Sequence, residues 1–337
     1  MLVTLPPVYR FRLKDGANTV LQLGAPEESV ESQLTTVLRG RTKAYTLAPT
    51  SGGLLVHLLP PAVDHPNGAT HVLRLRSAGW APSDSWELSG ARWERHPGLL
   101  RPLGSLADYE AHAASARDSW HGAFSYRQED VERGVEGLRP PQIGALHAIQ
   151  AHWAVTTEPA RVVLPTGVGK TETMLSALVA ERCHRLLVVV PSDVLRAQLA
   201  GKFITLGLLK TPQFRVVADG AHYPVVGVLS RRPKDVGELE AVFRKCNVVV
   251  NTIALAAGCQ GHLVEKMTEL CQYLFIDEAR ARRASRTRGA KRDWRSPPSG
   301  RSGPAARISV CRCPPHCPRS CRRRSAPADV RISGTGP

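Results

Sequence analysis

The pattern of apolar and polar positions changes near residue 138. Before that point, residues 8–14 and 70–76 alternate apolar and polar side chains, as half-buried β-strands do, and clusters rich in proline and glycine separate the candidate strands. This pattern predicts a β-rich domain over residues 1–104, whose role the sequence does not indicate. The more polar, helical pattern of residues 105–137 predicts a connector.

From residue 138 to residue 279, short apolar runs alternate with amphipathic helical segments. The predicted strands are 160–164, 186–190, 214–217, 225–229, 248–250 and 273–276. The predicted helices are 172–184, 192–203, 238–245 and 262–272. This alternation is typical of a mostly parallel sheet covered by helices on both faces, so the fold class expected here is a three-layer α/β domain.

The formal net charge of +16 is concentrated at one end of the chain. Residues 280–337 carry 15 Arg, one Lys and two Asp, so the rest of the chain is almost balanced. This distribution excludes a basic nucleic-acid binder over the whole length. Alanine, glycine, proline and arginine make up 35 of those 58 residues, and leucine, phenylalanine, tyrosine and methionine do not occur there. Such a composition predicts a disordered tail.

No membrane or secretory segment is expected. The longest uncharged stretch, residues 44–63, contains prolines and glycines that would break a spanning helix, and the first residues lack the pattern of a signal peptide. Eight cysteines in a chain of this length do not indicate a disulfide scaffold. We therefore expect a cytoplasmic protein.

A phosphate-binding loop is predicted where the first strand of the α/β region meets its first helix. Glycines let the backbone N–H groups of such a loop face phosphate oxygens, and the following helix adds its positive end. Lys170 can reach the β- and γ-phosphates, and the Thr171 hydroxyl can ligate Mg²⁺. The first position is leucine where the strict motif has glycine, so a chance match is the alternative. The predicted cofactor-binding residues are Leu164, Pro165, Thr166, Gly167, Val168, Gly169, Lys170 and Thr171.

A second acidic motif follows the apolar run 273–276. Asp277 at the end of a strand would hold Mg²⁺, and Glu278 would polarise the attacking water, so Glu278 and Lys170 are the predicted catalytic residues. The alternative interpretation is an ordinary solvated strand end. The position of the motif, several strand–helix units after the phosphate loop, favours the functional one.

Together these motifs resemble the ATP-binding half of superfamily 2 helicases. The resemblance is to the DEAD/DEAH-box group that includes the helicase subunit of type III restriction enzymes, and it implies a RecA-like domain that uses ATP and Mg²⁺. The segment Leu138-Arg-Pro-Pro-Gln142 resembles the family segment whose glutamine recognises adenine. Pro191, Ser192 and Thr252 match positions that contact nucleic acid in the family, although a strand end followed by a helix cap explains them equally well.

The resemblance implies an ATP-dependent helicase or translocase that moves along nucleic acid, with DNA favoured over RNA. It also has gaps. Arg280 stands where the family has His or Asp, and residues 280–337 do not resemble the second helicase domain with its arginine finger. We therefore expect weak or absent activity from this chain alone, with a second helicase domain or a restriction–modification partner as the missing component. The alternative function is a non-catalytic nucleic-acid-binding protein with a phosphate-loop scaffold and a basic tail.

The basic tail allows three interpretations. Its four cysteines and one histidine permit a zinc site, although their spacing differs from paired Cys-x₂-Cys motifs. An arginine-rich nucleic-acid arm is the second interpretation. The third, which we favour, is a shift of reading frame, because the family resemblance ends beside Ala279 and the dominant residues have GC-rich codons. The candidate zinc ligands are Cys311, Cys313, His316, Cys317 and Cys321.

Overall fold

The computed structural model describes most of residues 1–277 and two segments beyond them. The described ranges are 1–15, 18–39, 42–50, 52–53, 55–77, 85–88, 90–99, 105–156, 158–165, 167–277, 305–312 and 328–331. The strands are β1 (Leu2–Leu5), β2 (Val8–Asp15), β3 (Asn18–Ala25), β4 (Glu28–Arg39), β5 (Thr42–Pro49), β6 (Val56–Leu59), β7 (Val72–Arg74), β8 (Ser85–Glu87), β9 (Arg92–Arg95), β10 (Ala160–Pro165), β11 (Leu186–Val190), β12 (Val225–Val228), β13 (Val248–Thr252), β14 (Tyr273–Asp277), β15 (Ala305–Arg312) and β16 (Ala328–Arg331). The α-helices are α1 (Leu106–Asp118), α2 (Pro140–Val155), α3 (Lys170–Ala180), α4 (Asp193–Thr205), α5 (Val236–Phe243), α6 (Ile253–Ala257) and α7 (Gly261–Leu270).

The chain forms two compact units. The first contains Met1–Arg12 and Leu21–Leu103, and the second contains Leu13–Val20 and Gly104–Pro337. The first unit is built on a seven-stranded sheet in the order β8-β1-β4-β5-β6-β7-β9. Leu58 and Leu73 are among the fully buried side chains of its core. The β-rich N-terminal region predicted from the sequence is therefore confirmed.

The second unit is built on a mostly parallel sheet. Its strands follow the order β16-β10-β15-β14-β11-β13-β12. The pairs β11–β13, β11–β14, β12–β13 and β10–β16 are parallel. The end of β2 and the start of β3 also belong to this unit, and the Asn18 side-chain oxygen accepts hydrogen bonds from the backbone N–H groups of Ser230 and Arg231.

Helix α1 also belongs to the second unit. The Asn247 side chain donates a hydrogen bond to the Ala113 carbonyl oxygen (2.8 Å), and the Trp120 indole donates one to the His222 carbonyl oxygen (2.9 Å). A capping box formed by Ser105 and Asp108 begins the helix. The helical pattern predicted for 105–137 is realised only as far as Asp118, and residues 119–137 form turns and isolated bridges.

One predicted strand does not form. Residues 214–217 instead continue a series of turns that follows a short 3-10 helix at Gly207–Lys210. Arg215 has a φ of 45°, which no β-strand residue adopts, and its N–H donates to the Thr211 carbonyl oxygen. Phe214, Val216 and Val217 are buried within these turns, and the N–H groups of Val216 and Val217 both donate to the Leu209 carbonyl oxygen.

The basic tail contributes two strands, which corrects the expectation of disorder for those residues. Strand β15 lies between β10 and β14 and is antiparallel to both, and β16 pairs with the other edge of β10. β-Branched Ile308 and Val310 favour an extended backbone, and pairing on both sides satisfies the peptide groups of β15. The remaining residues of 280–337 lie outside the described ranges.

In the part of the chain that the structure describes, no helix has the length and apolar character needed to span a bilayer.

Candidate functional site

The predicted phosphate loop joins β10 to α3, which is the strand–loop–helix arrangement that such a loop requires. Gly167 and Gly169 have φ values of 83° and 89°, in the left-handed region that glycine adopts without strain. Gly169 is the N-cap of α3, so Lys170 and Thr171 are the first two helical residues. The N–H groups of this first turn have no partner within the helix, and they carry its positive end.

The predicted metal-binding carboxylate lies beside this loop. Asp277 is the last residue of β14, and β15 alone separates β14 from β10 in the sheet. Lys170 Nζ lies 3.2 Å from Asp277 Oδ1, and the two side chains are 17% and 7% exposed. The structure thus brings together an ammonium and a carboxylate that are 107 residues apart in sequence, in a position largely shielded from water.

Gln142 contacts the phosphate loop directly. Its amide Nε2 donates to the Gly169 carbonyl oxygen (3.0 Å), and its Oε1 accepts from the Arg139 backbone N–H (2.7 Å). The side chain is 3% exposed. Gln142 therefore links the first turn of α2 to the loop, a role that sequence analysis did not predict.

Arg139 is a second loop contact that sequence analysis missed. Its guanidinium donates to the Gly167 carbonyl oxygen (3.0 Å) and lies 3.6 Å from the Glu129 carboxylate. Its position three residues before Gln142 was the only signal in the sequence. Two of the loop carbonyl groups are thus held by side chains at the start of α2, Arg139 from its N-cap and Gln142 from its first turn.

The predicted nucleic-acid contacts have structural roles of their own. Ser192 is the N-cap of α4, and its hydroxyl accepts from the Leu195 N–H (3.3 Å). Thr252 is the N-cap of α6, and its hydroxyl accepts from the Leu255 N–H (3.3 Å). Pro191 and Ser192 are exposed, whereas Thr252 is 4% exposed. The helix-cap interpretation therefore applies to both hydroxyl residues, and their contact with nucleic acid stays a prediction.

The remaining predicted residues fall into two groups. Leu164 is buried in β10, Pro165 ends that strand, and Val168 is partly buried in the loop. Residues outside the described ranges include Thr166, Glu278, Arg280 and four of the candidate zinc ligands, Cys313, His316, Cys317 and Cys321. Cys311 lies in β15. Among the described residues, no group of three or more His, Cys, Asp or Glu side chains is arranged to hold a metal ion.

The chemistry of the described residues fits a magnesium nucleotide. Backbone N–H groups at a helix N-terminus, an ammonium and a glycine-containing loop suit phosphate oxygens, and a carboxylate suits a hard divalent cation. Adding a Cβ at Gly169 would bring it into the Gln142 amide, whereas one at Gly167 would meet nothing within 4 Å. The loop is therefore closely packed against α2 on one side and open on the other.

Comparison with known proteins agrees with this geometry. Residues 136–291 match the family model described as type III restriction enzyme, res subunit. The match covers less than half of the chain and extends beyond Ala279, where the sequence predicts that the resemblance ends. No curated protein and no solved structure matches the chain. The matched region is similar to a superfamily 2 helicase ATP-binding domain of the restriction-enzyme type.

Proposed function

We propose that this chain binds Mg-ATP at the carboxyl edge of the second sheet, as the ATP-binding domain of a superfamily 2 DNA helicase or translocase. The observation that carries the proposal is the 3.2 Å approach of Lys170 to Asp277 at the end of the phosphate loop. Sites in open α/β sheets gather at the carboxyl ends of the strands, and both residues lie there. The family match over residues 136–291 supports the same assignment.

Different residues of the proposed site would contact the phosphates and the Mg²⁺ ion. The N–H groups of the first turn of α3 would donate to the α- and β-phosphates, and Lys170 would turn from Asp277 to the β- and γ-phosphates. Asp277 and the Thr171 hydroxyl would hold Mg²⁺, which when bound neutralises charge on the β- and γ-oxygens. The Lys170–Asp277 pair places both groups beside the loop, and the contacts with Mg-ATP would replace it.

Gln142 has two roles in this proposal. Its contacts with Gly169 and with the start of α2 fix the loop, and by family resemblance its amide would also recognise adenine. Because the side chain is 3% exposed and both amide atoms are already bonded, adenine recognition requires an exchange of at least one of these bonds. Glu278, immediately after Asp277, is the proposed residue that polarises the attacking water.

The proposal also includes movement along nucleic acid. Ser192 and Thr252 cap helices at the same carboxyl edge of the sheet as the phosphate loop, so a strand of DNA along that edge would lie near the nucleotide. The alternative function is a non-catalytic binder in which the arginine-rich tail alone contacts nucleic acid. The two differ in whether nucleotide and DNA binding influence each other.

The test is a linkage measurement on the full chain. Single-stranded DNA binding is titrated by fluorescence anisotropy with and without Mg-ATP at one fixed salt concentration. Coupled sites change each other's affinity by the same factor, typically fivefold or more. We expect such a change in the parent chain and none in Lys170→Ala. A DNA affinity that nucleotide leaves unchanged in the parent would favour the non-catalytic binder.

A further inference from the structure

A cavity lies at the amino edge of the sheet in the second unit, opposite the phosphate loop. It has a volume of about 410 Å³ and is lined by residues of α1 and by the segments that precede β11 and β13. His184 and Arg185 come immediately before β11, and Cys246 and Asn247 come immediately before β13. The length of the five-residue strands, roughly 15 Å, separates this amino edge from the carboxyl edge where Lys170 and Asp277 lie. The cavity is therefore not part of the nucleotide site.

The lining of this cavity is predominantly basic. Three arginines, Arg117, Arg185 and Arg244, face one acidic residue, Glu110. Burial, followed by the charges of Arg185 and Arg117, lowers the pKa of His184. Burial raises the pKa of the Cys246 thiol to about 12, so this thiol adds no negative charge at neutral pH. The lining of the cavity thus carries more basic than acidic side chains.

Arg185 distinguishes this cavity from an ordinary basic surface. The residue is 9% exposed, and its Nη1 donates a hydrogen bond to the Leu270 carbonyl oxygen (2.7 Å). Its Nε–H is buried and has no acceptor among the residues that the structure describes. A buried donor without an acceptor costs free energy, and more so on a charged group, so an acceptor from outside the protein would be favourable here.

The other two arginines can contribute without losing their present contacts. Arg117 pairs with Asp118 (2.9 Å) and Arg244 with Glu240 (3.4 Å), both on the partly exposed surface of their own helices. Arg244 is the C-cap of α5, where a cation also offsets the helix dipole. Exposed pairs of this kind are weak, and each guanidinium has five donors to share.

From these observations we propose that the cavity binds a phosphate group, through Arg117, Arg185 and Arg244. Its volume is within the range of small-molecule sites, so either free phosphate or a small phosphorylated compound fits. Guanidinium groups form paired hydrogen bonds with phosphate oxygens, and a phosphate carries a charge of about −1.5 to −2 at pH 7. A carboxylate has half that charge and only two oxygens to share among three arginines.

The test uses inorganic phosphate with the parent chain and with the full chain carrying Lys170→Ala, which removes the main cation of the nucleotide site. Calorimetry at fixed ionic strength should show one saturable phosphate site per chain. Arg117→Gln and Arg244→Gln, which change partly exposed side chains, should each weaken binding about tenfold, as loss of one charged hydrogen bond predicts. The matched control is Arg133→Gln, since Arg133 is exposed and lies outside the cavity, and it should leave the affinity unchanged.

Several outcomes would overturn the proposal. These are phosphate binding that disappears with Lys170→Ala, binding that neither cavity substitution weakens, and no saturable binding up to about 10 mM phosphate. Acetate that binds as tightly as phosphate would overturn the assignment to a phosphate group. The unfolding temperatures of all variants, measured without phosphate, show whether a loss of binding reflects loss of fold.

Discussion

Lys170 Nζ and Asp277 Oδ1 lie 3.2 Å apart, although they come from the two ends of the α/β region. The chain reaches this arrangement by placing β10 and β14 two positions apart in one sheet and ending both strands at the same edge. The phosphate loop and the acidic motif are thus one site, held by backbone pairing and not by a flexible connection.

Gly169 tests how closely the phosphate loop packs against α2. Gly169→Ala places a Cβ in the Gln142 amide and forces a left-handed φ of 89° on a residue that disfavours it. We expect loss of Mg-ATP binding and a lower free energy of unfolding by about 1–3 kcal/mol. Gly201→Ala, in α4 with no atom within 4 Å of the added Cβ, is the control and should be neutral or stabilising. Equal nucleotide affinity in the two variants would contradict the closely packed loop.

Gln142 tests the contact between α2 and the loop. Gln142→Ala removes an acceptor from the Arg139 N–H and a donor from the Gly169 carbonyl, leaving two groups to find other partners. We expect the free energy of unfolding to fall by about 1–3 kcal/mol in urea titrations. Gln142→Glu keeps the acceptor for the Arg139 N–H and removes the donor to the Gly169 carbonyl oxygen. Its free energy of unfolding should therefore differ from that of Gln142→Ala. If Gln142→Ala unfolds at the same urea concentration as the parent, these hydrogen bonds do not hold the loop.

The tail strand β15 tests whether the basic segment belongs to the fold. Truncation after residue 304 removes the strand between β10 and β14, so the spacing of Lys170 and Asp277 loses its support. We expect a lower unfolding temperature and weaker nucleotide binding. Truncation after residue 331, which keeps both β15 and β16, is the control. Parent-like stability and affinity in the chain that ends after residue 304 would restore the interpretation of a disordered tail.

ATP hydrolysis by this chain alone should be slow. In the proposed site Lys170, Thr171 and Asp277 would supply phosphate and metal contacts, whereas the arginine that stabilises the transferring phosphoryl group comes from a second domain in the family that the motifs resemble. We expect single-turnover rates well below about 1 per second, with or without DNA. A rate at or above that value would show that the chain carries a complete catalytic site.

Sequence patterns predicted the local elements of the second unit better than their assembly. Strand β11 has the predicted bounds, and the phosphate loop lies at the predicted strand–helix junction, because apolar runs and glycine spacing are local signals. The position of β15 between β10 and β14 depends on pairing between distant segments, which local composition does not encode. The prediction of a strand at 214–217 was wrong for a related reason. The apolar residues there are buried within turns, and Arg215 has a left-handed φ.

The candidate site shows the same limit. The roles proposed for Lys170, Thr171 and Asp277 follow from sequence motifs alone. The contacts of Arg139 and Gln142 with loop carbonyl groups could not be predicted, because a side-chain hydrogen bond to a distant backbone atom produces no motif or spacing pattern in the sequence. The basic cavity was equally hidden, since its three arginines come from separate elements of the second unit.

The most direct test of the account is Mg-ATP binding measured by calorimetry on the parent chain and on Lys170→Ala. Removing the ammonium leaves the β- and γ-phosphates without the main cation of the loop, so binding should fall by tenfold or more, about 1.4 kcal/mol at the least. The matched control is Lys234→Ala, whose side chain is exposed and distant in sequence from the loop. Loss of affinity in Lys170→Ala with parent-like affinity in Lys234→Ala is the predicted result. Equal affinity in all three chains, with folding verified by circular dichroism, would contradict the assignment of this site to ATP.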